Sequence, residues 1–309
     1  MKKMSKTVVF FGSGPVAAES LALLATDFVI EAVVTKPRPL HHKTDYPVLL
    51  VAKKLGIKSY TPNNKQQLSD LFKTKPTSSQ IGVVIDYGII ISRDVIDYFA
   101  QGIINSHFSL LPEWRGADPI SAAILSGQTL TGVSLMLINE KLDEGPLLAQ
   151  KELKIKPTET ALQLTSSLIE LSHQMLVETV PLYSSGQLKP ADQLRATISK
   201  TKIATYSRKL TKDDGLLDWY KPAAILERQI RAFIDWPKSR CQIAKQEIIV
   251  TQAKVIPGNG QAGTVQVIGK RLLVATAKDW LEIERLKPIS KPEMSAQAFL
   301  AGYKDLLTS

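Results

Sequence analysis

The sequence has almost no cysteine. Its single thiol, Cys241, excludes an internal disulfide and a cysteine-built zinc site. Histidine is scarce as well. The four are His41, His42, His107 and His173, and none stands in an HxxxH or HExxH spacing, so no metal is expected. No apolar run approaches the ~20 residues a membrane-spanning helix needs. The opening MKKMSKTVVFFGSGP is apolar only from Thr7 to Phe11 before Gly-Ser-Gly-Pro breaks it, short of the about 7–15 residues of a signal-peptide core. A cytoplasmic protein without a membrane partner is the expectation.

The chain is 309 residues long and 44% apolar, enough for one large domain or two ordinary ones, each with a buried core. Its formal charge is +10. An excess of that size fits either a polyanionic partner such as nucleic acid or a plain lysine-rich surface.

Strand and helix signals alternate through the first part. Strand-like runs are Thr7–Phe11, Val29–Thr35, Ile81–Asp86, Gly102–His107 and Thr131–Ile138. Helical spacing falls at Ala17–Ala25, Val48–Gly56, Arg93–Ala100 and Asp118–Gly127. Such alternation predicts a Rossmann-like α/β fold, a mostly parallel sheet with helices on both faces. A long amphipathic segment, Thr158–Ser184, closes this domain at residues 1–184. Periodicity then fails over 185–205, read as a linker. Between Lys189 and Lys212 seven basic residues stand against one acid, Asp192. Residues 206–309 carry one helical run, Pro222–Phe233, and then short β-rich stretches between glycines and charged turns. That pattern predicts a small OB-like β-barrel.

Two loops carry chemical signals. The first, GSGPVA (Gly12–Ala17), fits the dinucleotide fingerprint of a nicotinamide oxidoreductase. The acid that should hold a ribose at the end of the second strand is missing, because that strand ends in Thr35-Lys36 and Glu31 lies inside it. Pro15 also removes a backbone N–H. A tight β-to-α turn is the alternative reading.

The second is INSHFSLLPEWRG (Ile104–Gly116). Asn105 and His107 are two apart at the end of a strand, so both point to one face, where ligands of open α/β sheets gather. The bland alternative is a core histidine beside a turn-forming asparagine. Ser109-Leu110-Leu111-Pro112 would be a poor exposed turn, and makes sense if the leucines line an apolar slot for a flat ligand. Thirty-six residues after His107, LDEGPLL places Asp143 on a loop. It is either an ordinary turn aspartate or a carboxylate that orients a histidine. Taken together, an amide, an imidazole and a carboxylate in this order suggest transfer of an acyl-like group to an amine. No serine or cysteine sits in a nucleophile elbow, so a covalent acyl-enzyme is not expected.

INSHFSLLPEWRGADPI, followed by TGVSLMLINEKLDEGPLL, resembles the 10-formyltetrahydrofolate-dependent formyltransferases. Their hallmarks are Asn-x-His, Ser-Leu-Leu-Pro, Thr-Gly-Val and Leu-Asp-x-Gly in that order. VVTKPRP and DYGIIISRDVID fit the same N-terminal domain. YSRKLTKDDGLLDW, LERQIRAFIDWP and MSAQAFLAGY resemble the C-terminal part of the members that act on tRNA, so the likeness covers nearly the whole chain. The resemblance implies catalytic positions at Asn105, His107 and Asp143. It implies folate contacts at Ser109, Leu110, Leu111, Pro112, Tyr87, Gly88 and Ile89, with 10-formyltetrahydrofolate as formyl donor. It further implies initiator methionyl-tRNA as acceptor, contacted by Lys36, Arg38, Lys43, Lys200, Lys202, Arg208 and Lys209. A monomer is the separate expectation for the assembly. Three departures stand out. The loop after Thr35 is shorter than the family's, and Asp86 and Asp118 each replace a small residue. A sugar-amine formyltransferase, a formyl-folate hydrolase and a non-catalytic RNA-binding protein are the rival readings.

Overall fold

A computed structural model describes residues 7–38, 45–243 and 245–302. In chain order, β1 (Thr7–Phe11) leads to α1 (Pro15–Asp27) and β2 (Val29–Val34). Then come α2 (Pro47–Lys54), β3 (Ser59–Tyr60), α3 (Lys65–Lys73) and β4 (Gly82–Val84). α4 (Arg93–Tyr98), β5 (Ile103–His107) and the two-residue β6 (Arg115–Gly116) follow. α5 (Pro119–Ser126), β7 (Leu130–Leu137), β8 (Leu147–Lys154) and α6 (Ala161–Ser184) complete this part. The seven strands other than β6 form one sheet in the order β3-β2-β1-β4-β5-β7-β8. The first five run parallel. β7 and β8 are antiparallel additions at the β5 edge.

The buried strand runs explain this arrangement. β1 shows no solvent-facing residue after Thr7, as a central strand covered on both faces must. Val9 and Phe11 pack with Leu68, Phe72, Tyr87 and Phe99 in one core cluster. Helix α1 starts at Pro15, whose missing N–H costs nothing in the first turn, and buries Ala17, Leu21 and Leu24. Two longer elements, α3 and β8, have no counterpart in the expectations, and neither do the two-residue β3 and β6. The polar face of α3 and the lysines of β8 mask their apolar residues.

The chain divides into two compact units. The first comprises Met1–Gly116, Leu130–Lys154 and Thr165–Ser207. The second comprises Ala117–Thr129, Ile155–Leu164 and Arg208–Ser309. Segment 185–205 packs within the first unit. It carries the short α7 (Gln193–Ala196), an antiparallel bridge from Ala191 to Leu147, and leads into β9 (Tyr206–Ser207), which pairs with β6. In the second unit a single 3₁₀ turn (Lys212–Gly215) precedes α8 (Ala223–Ala232). Next are β10 (Ser239–Ile243), β11 (Gln246–Ile256), β12 (Val265–Ile268), β13 (Arg271–Ala275), β14 (Trp280–Pro288), β15 (Met294–Ser295) and α9 (Ala296–Gly302). The sheet is antiparallel in the order β10-β11-β14-β13-β12, with β15 beside β14. Among the described residues no ladder closes β12 onto β10. Leu226, Ile230, Ile248, Val250, Leu286 and Phe299 build its core.

Candidate active site

Strand β5 delivers the first two groups. Asn105 pairs with Met136 and His107 with Ser134 on β7, so strand period two sends both side chains to one face. Ser106 points the other way, its hydroxyl 2.6 Å from that of Ser172 on α6. The third group arrives on the loop between β7 and β8. Asp143 is buried there in a left-handed conformation, φ 52°, uncommon for a residue with a side chain.

The three converge. Asp143 Oδ1 accepts from Asn105 Nδ2 at 3.3 Å. Its Oδ2 accepts the Gly116 N–H at 2.7 Å and lies 3.7 Å from His107 Nδ1. His107 Nε2 is 2.9 Å from the Trp114 carbonyl. A carbonyl only accepts, so that nitrogen carries a hydrogen. Both ring nitrogens thus face oxygen, and His107 is 7% exposed. The carbonyl orients the imidazole, and Nδ1 on the other side faces a carboxylate with which it can exchange a proton directly or through water.

The Ser-Leu-Leu-Pro turn lies differently from the expected slot. Ser109 and Leu111 are fully buried and Leu110 nearly so. Leu111 packs with Met136 and Leu147, and a methyl of Leu110 presses on Gly132. The leucine side chains therefore fill the protein's own interior. The backbone of the turn is fastened by Leu111 N–H donating to Ser134 Oγ, and by Gln150 and Thr197 donating to the Leu111 carbonyl. Pro112 follows a cis peptide bond. Tyr87 is also interior, its ring edge-on to Phe11 at 5.6 Å. Burial pushes its phenol pKa well up, and its hydroxyl has no hydrogen-bond partner among the described residues. Gly88 turns with φ 70° and Ile89 is half-exposed behind it.

The glycine loop has its own occupant. A Cβ built on Gly14 would fall 2.1 Å from Asp86 Oδ2, so the Asp86 carboxylate lies at the N-terminus of α1. A phosphate would need that place. Glu31 accepts from the backbone N–H groups of Ser78 and Ser79 at 2.7 and 2.8 Å, which commits it to fastening that loop. Both observations favour the tight-turn reading over the dinucleotide one.

The candidate acceptor contacts differ in their surroundings. Lys36 Nζ rests against Gly88. Arg38, Lys200, Lys202 and Lys209 are exposed. Arg208 is forked onto the Asp214 carboxylate. Lys43, like His41 and His42, lies outside the described residues. Among the described residues no group of three His, Cys, Asp or Glu side chains is placed to hold a metal ion. Likewise, no described helix is long and apolar enough to cross a membrane.

Two further residues belong to the site, Arg115 at the end of the Asn-x-His stretch and Gln193 in the segment that reads as linker, and both are buried. Gln193 Oε1 accepts from Arg115 Nε and Nη2 at 3.1 and 2.5 Å. Its Nε2 donates to the backbone carbonyls of Asp143 and Gly145 at 3.0 and 3.3 Å. A lone glutamine in an aperiodic polar stretch carries no local signal of this. Arg115 did sit beside the Asn-x-His run, which was the available hint.

The formyl transferase family matches residues 6–180, the part that holds this sheet and the Asn105, His107 and Asp143 cluster; the C-terminal formyl transferase domain matches 209–304. A methionyl-tRNA formyltransferase of Myxococcus xanthus is 36% identical over 96% of this chain and 95% of its own. One from Chloroflexus aggregans is 35% identical over 96% of both. The solved N-formyltransferase from Helicobacter canadensis, in complex with folinic acid and dTDP-3-aminofucose, superposes with a TM-score of 0.67. It covers 91% of this chain and 99% of its own at 16% identity, a likeness of fold. The chain belongs to the formyl transferase family, with the methionyl-tRNA formyltransferases as its near-full-length relatives, and is an enzyme of that family.

Proposed function

We propose that the chain moves the formyl group of 10-formyltetrahydrofolate onto the α-amino group of methionine carried by initiator tRNA. The observation that carries this reading is the convergence of Asn105, His107 and Asp143. The near-full-length likeness to enzymes named for that acceptor supports the choice of amine. Residues 1–184 then form the catalytic domain, and the basic segment 185–205 with residues 206–309 meets the tRNA.

In this reading the neutral amine attacks the formyl carbon and a tetrahedral oxyanion forms. Asn105 uses one N–H on Asp143, which leaves the second to donate to that oxyanion. Asp143 and His107 Nδ1, 3.7 Å apart, carry the amine's proton towards the leaving folate nitrogen, with water completing the path. His107 is kept in line by the Trp114 carbonyl on its other side.

The test is incubation with the formyl donor and methionine-charged tRNA, initiator and elongator in parallel. The parent protein should formylate the initiator form. Asn105→Ala should lower turnover by about 10²–10³, and His107→Ala comparably, while both still bind folate. Near-native turnover in His107→Ala would remove the mechanism. A parent that formylates a nucleotide-linked amino sugar and no tRNA would replace the acceptor.

A further inference from the structure

Asp143 is the part of the site least able to hold itself in place. It sits on a loop, its backbone is in the left-handed region, and such a conformation persists only where the surroundings impose it. What imposes it reaches in from segment 185–205. We propose that Gln193 is a positioning residue that fixes the Asp143 loop, and through it the proton path to His107. The proposal rests on the role given to Asp143 above.

The chemistry of the neighbours settles the amide's orientation. Arg115 has only donors, so the Gln193 atom facing its Nε and Nη2 is the oxygen. The carbonyls of Asp143 and Gly145 only accept, so the atom facing them is the NH₂. All four contacts are satisfied at once by a glutamine. The anchor behind it is firm. Asp192 caps α7 by accepting from Leu194 and Arg195 N–H at 3.1 Å each, and Ala191 exchanges two backbone hydrogen bonds with Leu147, at 2.8 and 2.9 Å. On the far side Arg115 Nη1 reaches Glu144 at 3.2 Å, the residue next to Asp143. Its neighbour Gly116 donates to the Asp143 carboxylate itself. The loop is thus held at its backbone by Gln193, at Glu144 by Arg115 and at the carboxylate by Gly116. Among the described residues, Gln193 is the one whose side chain bonds the peptide of Asp143 itself.

A glutamate at this position separates two roles. It would still accept from Arg115, but it has no N–H for the two carbonyls and turns an oxygen towards them. If Gln193 served Arg115 alone, Gln193→Glu would work almost normally. If it positions Asp143, the rate falls, since a misplacement of about 1 Å can cost about 10²-fold.

The experiment measures kcat and KM for Gln193→Glu and for Gln193→Met, which removes the donors without adding charge. Amide hydrogen exchange is followed in the same samples without substrate. Expected are a 10- to 100-fold loss of kcat in both variants, a folate KM within about twofold of the parent, and at least tenfold faster exchange at the Gly116 N–H. The β5 amides should keep their protection. That last signal reports folding, and the Gly116 amide reports the Asp143 carboxylate with no reaction needed. Unchanged Gly116 protection, or kcat within twofold of the parent in Gln193→Glu, overturns the proposal. Faster Gly116 exchange in a protein whose parent formylates no tRNA would leave the positioning intact and remove the acceptor assignment.

Discussion

Gly14 and Asp86 compete for one volume. The backbone of Gly14, at φ −76° and ψ −176°, is open to any residue, so the obstacle to a side chain there is the Asp86 carboxylate alone. Asp86 is exposed and its carboxylate can swing aside, so Gly14→Ala should cost about 1 kcal/mol, the low end of an overpacking change. Most of that cost should vanish in an Asp86→Ala background. Denaturant unfolding of the four proteins in the cycle should return a coupling of about 0.5 kcal/mol or more. Strict additivity would show that the two do not meet. At this scale legibility was uneven. Asn105, His107 and Asp143 could be named because strand period and motif spacing are properties of the string. The Gly14–Asp86 contact could not, because it exists only once β1 and β4 lie side by side. Leu110 and Leu111 are readable as poor candidates for exposure, but what they meet, Gly132 for Leu110 and Met136 with Leu147 for Leu111, is a tertiary fact.

The 3₁₀ turn at Lys212–Gly215 shows what one carboxylate does for an element. Asp214 accepts from the Thr211 N–H and hydroxyl at 2.7 and 2.8 Å, which closes a capping box, and it receives the fork of Arg208. The Arg208 hydrogen bonds, then those from Thr211, hold its pKa far below the ordinary carboxylate value. A depressed pKa means the folded state binds its proton less readily than the unfolded chain does. The stabilisation is complete above the unfolded value of about 3.9 and drains away as pH falls through the folded one. Thermal unfolding between pH 6 and pH 3 should show the parent losing more stability than Asp214→Asn. Glu282 beside Arg271 and Glu293 beside Arg285 are lowered likewise, so the variant's curve should be shallower, not flat. Parallel curves would mean that the fork contributes nothing in solution, where an exposed arginine is well screened. Elements were the most readable scale of this chain. Central strands announce themselves as unbroken apolar runs, whereas β8 and α3 did not, because both are polar on the side that the sequence shows. Segment 185–205 reads as a linker by composition. Its buried glutamine is invisible until the chain is folded.

For the whole molecule the decisive property is where its charge lies. Of the formal +10, residues 208–309 carry 17 Lys and Arg against 11 Asp and Glu, a net +6. A further cluster of basic residues precedes them from Lys189 onwards. Not every cation is available, since Arg208, Arg231, Arg271 and Arg285 already face acidic partners. Lys200, Lys202 and Lys209 are exposed. If these three neutralise phosphates, the slope of log K against log salt should be near −3, or roughly a 40-fold loss of tRNA affinity between 50 and 200 mM salt. Neutralising Lys200, Lys202 and Lys209 together should flatten the slope by about 3 and leave folate affinity unchanged. The measurement also separates the two acceptor classes within this fold. A sugar amine linked to a nucleotide presents few charges and reaches the formyl group without a long phosphate track, so its binding would be nearly indifferent to salt. A flat profile for charged tRNA, with the triple variant matching the parent, would move the acceptor from nucleic acid to small molecule while leaving the proposed roles of Asn105, His107 and Asp143 untouched.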